Sequence, residues 1–245
     1  MLYSRSTKHM TLRTLSTLIA LLIIVPASAG TLPAFFDDVD ALMTKYVADG
    51  KVDYAGIKTA GATDLLVEHI GSMALSGASA AQKKAFYINA YNVLVIHSIV
   101  SAYPVGSPMD ISGFFDQKKH KVAGQMLTLN ELEQTKLLRV YEDARIHFVV
   151  VCAAKGCPTL ASFAYRPEKL EAQLQAQTKK ALNSTYFIRV QNNAVQVSKI
   201  FEWYNGDFTK NGQTVVGYIN SFRDQNISPT LSVGHYEYDW ALNKQ

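Results

Sequence analysis

Ala85-Phe-Tyr-Ile-Asn-Ala-Tyr-Asn-Val-Leu-Val-Ile-His97 is the stretch on which the fold turns. It is apolar nearly all the way round a helical wheel, so a helix here has no face to give to water. Ser79 with Gln82 three residues later forms a capping box ahead of it. Tyr103-Pro104 stops it, because a residue before proline is pushed out of the helical region. The pattern predicts a central, buried helix with the remaining elements packed around it.

Those elements are mostly helical by the same reading. Pro33 suits a first turn, Phe35, Phe36, Val39, Leu42, Met43, Tyr46 and Val47 form one apolar stripe, and Gly50 ends it. Lys51 to Tyr54 reads as a short extended piece, and 64–73 as a second helix. Beyond a loop at 113–116, Lys121 to Met126 resembles a small hairpin, and Thr128 with Glu131 caps a helix to about Leu138. The run Arg145-Ile-His-Phe-Val-Val-Val-Cys152 reads as a buried strand, followed by a loop to Leu160. Pro167 opens an amphipathic helix through Leu170, Leu174 and Leu182. Tyr186 to Val190 and Ala194 to Val197 alternate around Asn192-Asn193, a two-residue hairpin signal. Helical pieces at 201–208 and 215–222 complete the chain. The expected class is α+β, mainly helical with a small, largely antiparallel sheet, since strands and helices do not alternate as a doubly wound sheet requires.

Residues 1–29 are expected to be a signal peptide and 30–245 a single globular domain. Arg5, Lys8 and Arg13 give a positive start, Leu18 to Val25 an unbroken apolar core, and Ala27-Ser28-Ala29 a small-residue cleavage site. Eight apolar residues are too few for a stable membrane span, which needs about 20. The chain is therefore expected to be exported, to the periplasm or outside. The leader also holds three of the 24 Lys and Arg residues and none of the 20 acids, which leaves 21 against 20. A charge that close to neutral offers no general field for nucleic acid.

The only two cysteines, Cys152 and Cys157, lie in the loop after the 145–152 run, with Gly156 between them and Pro158 behind. In an oxidising compartment they form a disulfide closing a small loop, worth roughly 2 kcal/mol, or one of them is a thiolate nucleophile beside an imidazole. A metal site is disfavoured, because this spacing supplies only two ligands. His147 is the nearest histidine in sequence, but along a regular strand it would face away from Cys152, leaving His97 and His120 as other bases. Asn89 and Asn92 share a face of the central helix and hold a neighbouring loop or line a polar site. Tyr87, Tyr91, Trp203, Tyr204, Tyr236, Tyr238 and Trp240 suggest an aromatic lining suited to a peptide or glycan. Neither a dinucleotide fingerprint nor a phosphate-binding loop is present, so no cofactor is expected.

From about Lys51 to Asn243 the chain resembles the bacterial and plant domain-of-unknown-function family 547. The resemblance rests on Val52-Asp53-Tyr54, Ala85 to Asn92, Tyr103-Pro104-Val105 and Asp110 to Asp116. Leu127 to Asn130, Arg145 to Phe148, Cys152 with Cys157-Pro158, Val197 to Tyr204 and Tyr238-Asp239-Trp240 complete it. It implies no defined reaction, but it groups Asn89, Asn92, Asp110, Asp116, His147, Cys152 and Cys157. Together these readings predict an exported domain of unestablished activity. Its polar cleft would be built from the Asn89/Asn92 helix, the 110–120 loop and the 145–158 segment. The cleft would bind a small molecule, peptide or glycan. The alternative is a cysteine-dependent hydrolase or acyltransferase of papain or transglutaminase type. In it Cys152 or Cys157 would be the nucleophile, a histidine the base, and Asn89 or Asp110 the orienting group.

Overall fold

The structure is a computed structural model describing Met1, residues 30–191 and residues 194–245. The expected leader, Met1 apart, and the Asn192-Asn193 turn lie outside the described residues. The chain begins with helix α1 (Leu32–Tyr46), the pair β1 (Val47–Ala48) and β2 (Lys51–Val52), and helices α2 (Tyr54–Ala60) and α3 (Asp64–Ser72). The long helix α4 (Ala80–Ala102) is followed by the hairpin β3 (His120–Val122) and β4 (Gln125–Leu127). Next come α5 (Leu129–Leu132), a π-helical turn at Glu133–Leu138, α6 (Arg139–Tyr141), a 3-10 helix at Ala144–Phe148 and α7 (Leu170–Asn183). Strands β5 (Ile188–Gln191) and β6 (Ala194–Val197), helices α8 (Ile200–Trp203), α9 (Asn205–Phe208) and α10 (Val215–Asn220), and strand β7 (Ser232–His235) close the order.

The central helix sits where its composition requires. Ser79 and Gln82 make the reciprocal capping box, and Phe86, Ile88, Leu94 and Ile99 are fully buried. Each such side chain contributes about 1.5–3 kcal/mol through its removal from water. Helices α1, α2, α3 and α5 and the π turn pack against it. Among the described residues α4 is the one helix long and apolar enough to cross a membrane, and 78% of its apolar window lies inside the protein. It is a core helix. The sheets are small: two antiparallel hairpins, and a three-stranded sheet in which β5 pairs antiparallel and β7 parallel with β6.

Two local readings need correction. The 145–152 run is not a strand. Its first half is the 3-10 helix, capped by Asp143, whose carboxylate accepts from the Arg145 backbone N–H at 3.0 Å. Its second half runs beside α4 without a strand partner, because the Asn92 amide supplies the backbone hydrogen bonds itself. Asn92 donates to the Val149 carbonyl at 2.8 Å and accepts from the Val151 N–H at 2.9 Å. A buried apolar run needs satisfied backbone groups, and a side chain can serve in place of a sheet neighbour. The extended piece at 51–54 ends two residues early, at Val52, because Asp53 caps α2 by accepting from Gly56 N–H at 2.8 Å.

The C-terminal tail is pinned to the cysteine loop. Gly156 N–H donates to the Asp239 carbonyl and Lys155 N–H to the Ala241 carbonyl, both at 2.8 Å. A Cβ at Gly156 would stand 3.0 Å from both the Asp239 nitrogen and the Tyr238 ring, so any larger residue would have to push the tail back by a few tenths of an ångström.

Candidate functional site

A pocket of about 290 Å³ opens where α4, the π turn, the 3-10 helix, the cysteine loop, α8–α9 and the tail meet. That is close to the lower size of small-molecule sites. Its polar groups come from Asn130, Glu133, His147 and the hydroxyls of Tyr91, Tyr204 and Tyr238, and no lysine or arginine lines it among the described residues.

Glu133 is the first residue of the π turn, a rare geometry that is often found at functional sites. It is buried, at 7% exposure. Burial pushes its carboxyl above the usual range, while His147 and the hydroxyls of Tyr204 and Tyr91 pull it part of the way back. His147, 3% exposed, places Nε2 2.8 Å from Asp207 Oδ2 and Nδ1 4.0 Å from Glu133 Oε1. Its ring packs on Tyr204, with centroids 4.2 Å apart, and on Phe208. The hydrogen bond from His147 holds Asp207 below the ordinary aspartate range. One imidazole thus lies between two carboxyls whose proton affinities are driven apart, an arrangement suited to proton donation at one end and charge stabilisation at the other.

The opposite wall is aromatic and carries the cysteines as a disulfide. Cys157 is buried and Cys152 half-buried. The Tyr238 hydroxyl stands 3.1 Å from each sulfur, and the Cys152 N–H lies 3.0 Å from the Cys157 sulfur. Trp240 and Tyr238 pack at 4.7 Å, Trp203 and Tyr238 at 5.0 Å, and Trp203 stacks on Trp240 at 6.0 Å. Trp203 keeps 48% of its surface exposed.

The structure brings His147, Cys152 and Cys157 into one pocket, and leaves the other candidates outside its lining. Asn89 is spent on backbone, donating to the Tyr165 and Ala85 carbonyls and accepting from Tyr165 N–H. Asn92 grips 149–151 as described above. Asp110 accepts from Gly106 N–H at 3.0 Å, and Asp116 lies on the exposed rim of a shallow groove along 108–116. His97 and His120 share a separate basic groove. Sequence reasoning passed over Glu133 and Asp207. Glu133 had a signal, since it stands four residues from both Leu129 and Leu137 on the apolar stripe of its helix. Asp207, in Asn-Gly-Asp, had none.

Residues 75–182 match the model of a family described as a protein of unknown function, DUF547. The match takes in α4, Glu133, His147 and both cysteines, and stops before Trp203, Asp207, Tyr238 and Trp240. No curated protein and no solved structure matches the chain.

Proposed function

We propose that this chain, which carries a DUF547 domain, is exported and uses the pocket to bind a small ligand built on a sugar ring. The carrying observation is the pairing of a wall of two indoles, Trp203 and Trp240, with a polar floor that holds no lysine or arginine among the described residues. Trp203 and Trp240 offer ring faces to the apolar side of a pyranose. Glu133 and Asn130 can take its hydroxyls, because an ionised carboxylate accepts, a protonated Glu133 donates and the Asn130 amide does both. A lining without lysine or arginine works against anionic ligands.

Tryptophan fluorescence during titration with mono- and disaccharides tests the reading. Binding should perturb the indole emission saturably, and Trp203→Ala should weaken it by about tenfold, on the order of 1.4 kcal/mol. Because Trp203 is half exposed, its removal should leave the thermal midpoint nearly unchanged. Saturable binding of organic ammonium compounds alone would replace the sugar with a cation held over the same rings.

Export is supported by the leader pattern and by the disulfide, which persists in oxidising compartments. A second reading has one observation in its favour: His147 and both cysteines border one pocket. Exchange with an external dithiol, itself oxidised to a disulfide, would leave Cys152 and Cys157 as thiols, and Cys152 could then act as nucleophile with His147 as base. Intact-mass measurement on protein from the periplasmic fraction decides both points. The expected species starts at Gly30 and takes up an alkylating agent only after reductant is added. Two thiols alkylated without reductant would move the thiol hydrolase ahead of the binding reading.

A further inference from the structure

On the far side of α4 from the cysteine loop's Asn92 anchor lies no acid–base pocket but a basic groove of about 410 Å³. His97 and Ser101 come from α4, and Lys118, Lys119, His120 and Lys121 from the segment entering β3. The segment is fixed in place: Ala123 N–H donates to the Ile70 carbonyl at 2.8 Å and Gly124 N–H to the Gly71 carbonyl at 2.9 Å, so the hairpin turn is tied to the end of α3. The Lys121 stem lies along Gly71, within 3.4 Å of where a Cβ would stand.

The charges here are one-sided. Lys118, Lys119 and Lys121 make no ion pair among the described residues, in a protein whose mature chain is nearly neutral. The facing carboxylate is Asp64 on α3, whose Oδ1 is 3.9 Å from His97 Nδ1 and which is itself 73% exposed. Thr63 Oγ1 is 3.0 Å from the same nitrogen. His120 Nε2 is buried and has no hydrogen-bond partner among the described residues. A buried imidazole nitrogen without a partner costs free energy that a ligand would recover.

We infer that this groove is an anion site for a phosphate or sulfate group, held by His120 and His97 at the base and by Lys118, Lys119 and Lys121 around the rim. An oxyanion would give His120 Nε2–H its missing acceptor and place negative charge beside the three lysines that line the groove. The site is independent of the sugar pocket and stands or falls without it. Burial lowers the His120 pKa, with His97 and Lys118 lowering it further, and burial lowers His97 against the pull of Asp64. A bound anion beside the ring favours its charged form and offsets the repulsion from His97 and Lys118, so binding takes up protons and strengthens as pH falls.

The test is a sulfate titration followed by the imidazole resonances of the full mature chain, with His69, His147 and His235 as internal controls. Sulfate keeps its charge from pH 5 to 8, so any pH dependence belongs to the protein. Saturable shifts confined to His97 and His120 are expected. Uptake of a proton by one histidine should tighten binding by about tenfold between pH 8 and pH 5. The exposed-site double variant Lys118→Gln/Lys119→Gln should bind at least about fivefold more weakly without losing thermal stability. Parallel arms with inorganic phosphate and with phosphatidylglycerol vesicles separate a soluble ester from a membrane headgroup as the natural source. Shifts that fail to saturate, that spread to the control histidines, or that survive in the double variant would overturn the site, as would silence toward all three probes.

Discussion

Asp143→Ala is expected to destabilise the protein by about 3–5 kcal/mol, read as a large fall in the urea midpoint. Asp143 Oδ2 lies 2.6 Å from Nζ of Lys84, a lysine on the central helix with only 7% of its surface exposed. Arg145 clasps the same carboxylate through Nε and an Nη, each at 2.8 Å, and reaches on to Glu171. Removing the carboxylate strands the Lys84 charge in the interior and deletes the cap of the 3-10 helix that presents His147. Lys84→Met combined with Asp143→Asn should recover part of the loss, because it removes the orphaned charge. The acid limb gives a second readout. Burial alone would raise the Asp143 carboxyl, but hydrogen bonds from Arg145 and Lys84 reverse this and hold it at about 2, against an ordinary 3.8. A depressed folded value means the contribution is present above pH ~4 and is lost as pH falls toward 2. It amounts to about 2 kcal/mol. The gap between the native protein and Asp143→Asn should therefore close over that window. A gap that stays constant with pH would show that the ion pair does not carry the stability.

The helical frame was legible because its signals are local. The Ser79/Gln82 and Thr128/Glu131 boxes, the Pro33 start and the Tyr103-Pro104 stop all act through groups within a few residues, and each marks a boundary of the structure. Composition alone also marked α4 as buried. The 145–152 run was misread because β-branched burial looks the same whether the backbone partners are strands or a single asparagine. Only the tertiary position of Asn92 distinguishes them. Strand β7 was missed for a related reason: Ser232 to His235 has no alternation strong enough to announce a parallel pairing with β6. At the site, His147, the cysteines and the tail aromatics were visible as residue types. Glu133 and Asp207 were not, because their roles arise from the π turn and from a contact 60 residues apart in sequence. The single cleft expected from the Asn89/Asn92 helix, the 110–120 loop and the 145–158 segment divides in the structure into amides spent on backbone, the groove along 108–116, the basic groove of His97 and His120, and the pocket of His147 and the cysteines.

Asn92→Ala carries the other large expected effect, and it couples stability to the pocket. The amide satisfies one buried carbonyl and one buried N–H, so its loss leaves two backbone groups without partners. At ~1–3 kcal/mol for each, the cost is about 2–6 kcal/mol. The consequence extends past stability, because residues 149–151 lead directly into the pocket wall at Val150 and Cys152. In the fraction of Asn92→Ala that remains folded at low temperature, hydrogen exchange at Val151 should rise and sugar affinity should fall, although no group that touches the ligand has changed. Asn89→Ala serves as the comparison, since it frees the backbone at Tyr165, away from the pocket lining. It should cost comparable stability and leave affinity intact. Equal loss of affinity in both variants would mean that general loosening, and not the Asn92 clamp, sets the position of the wall.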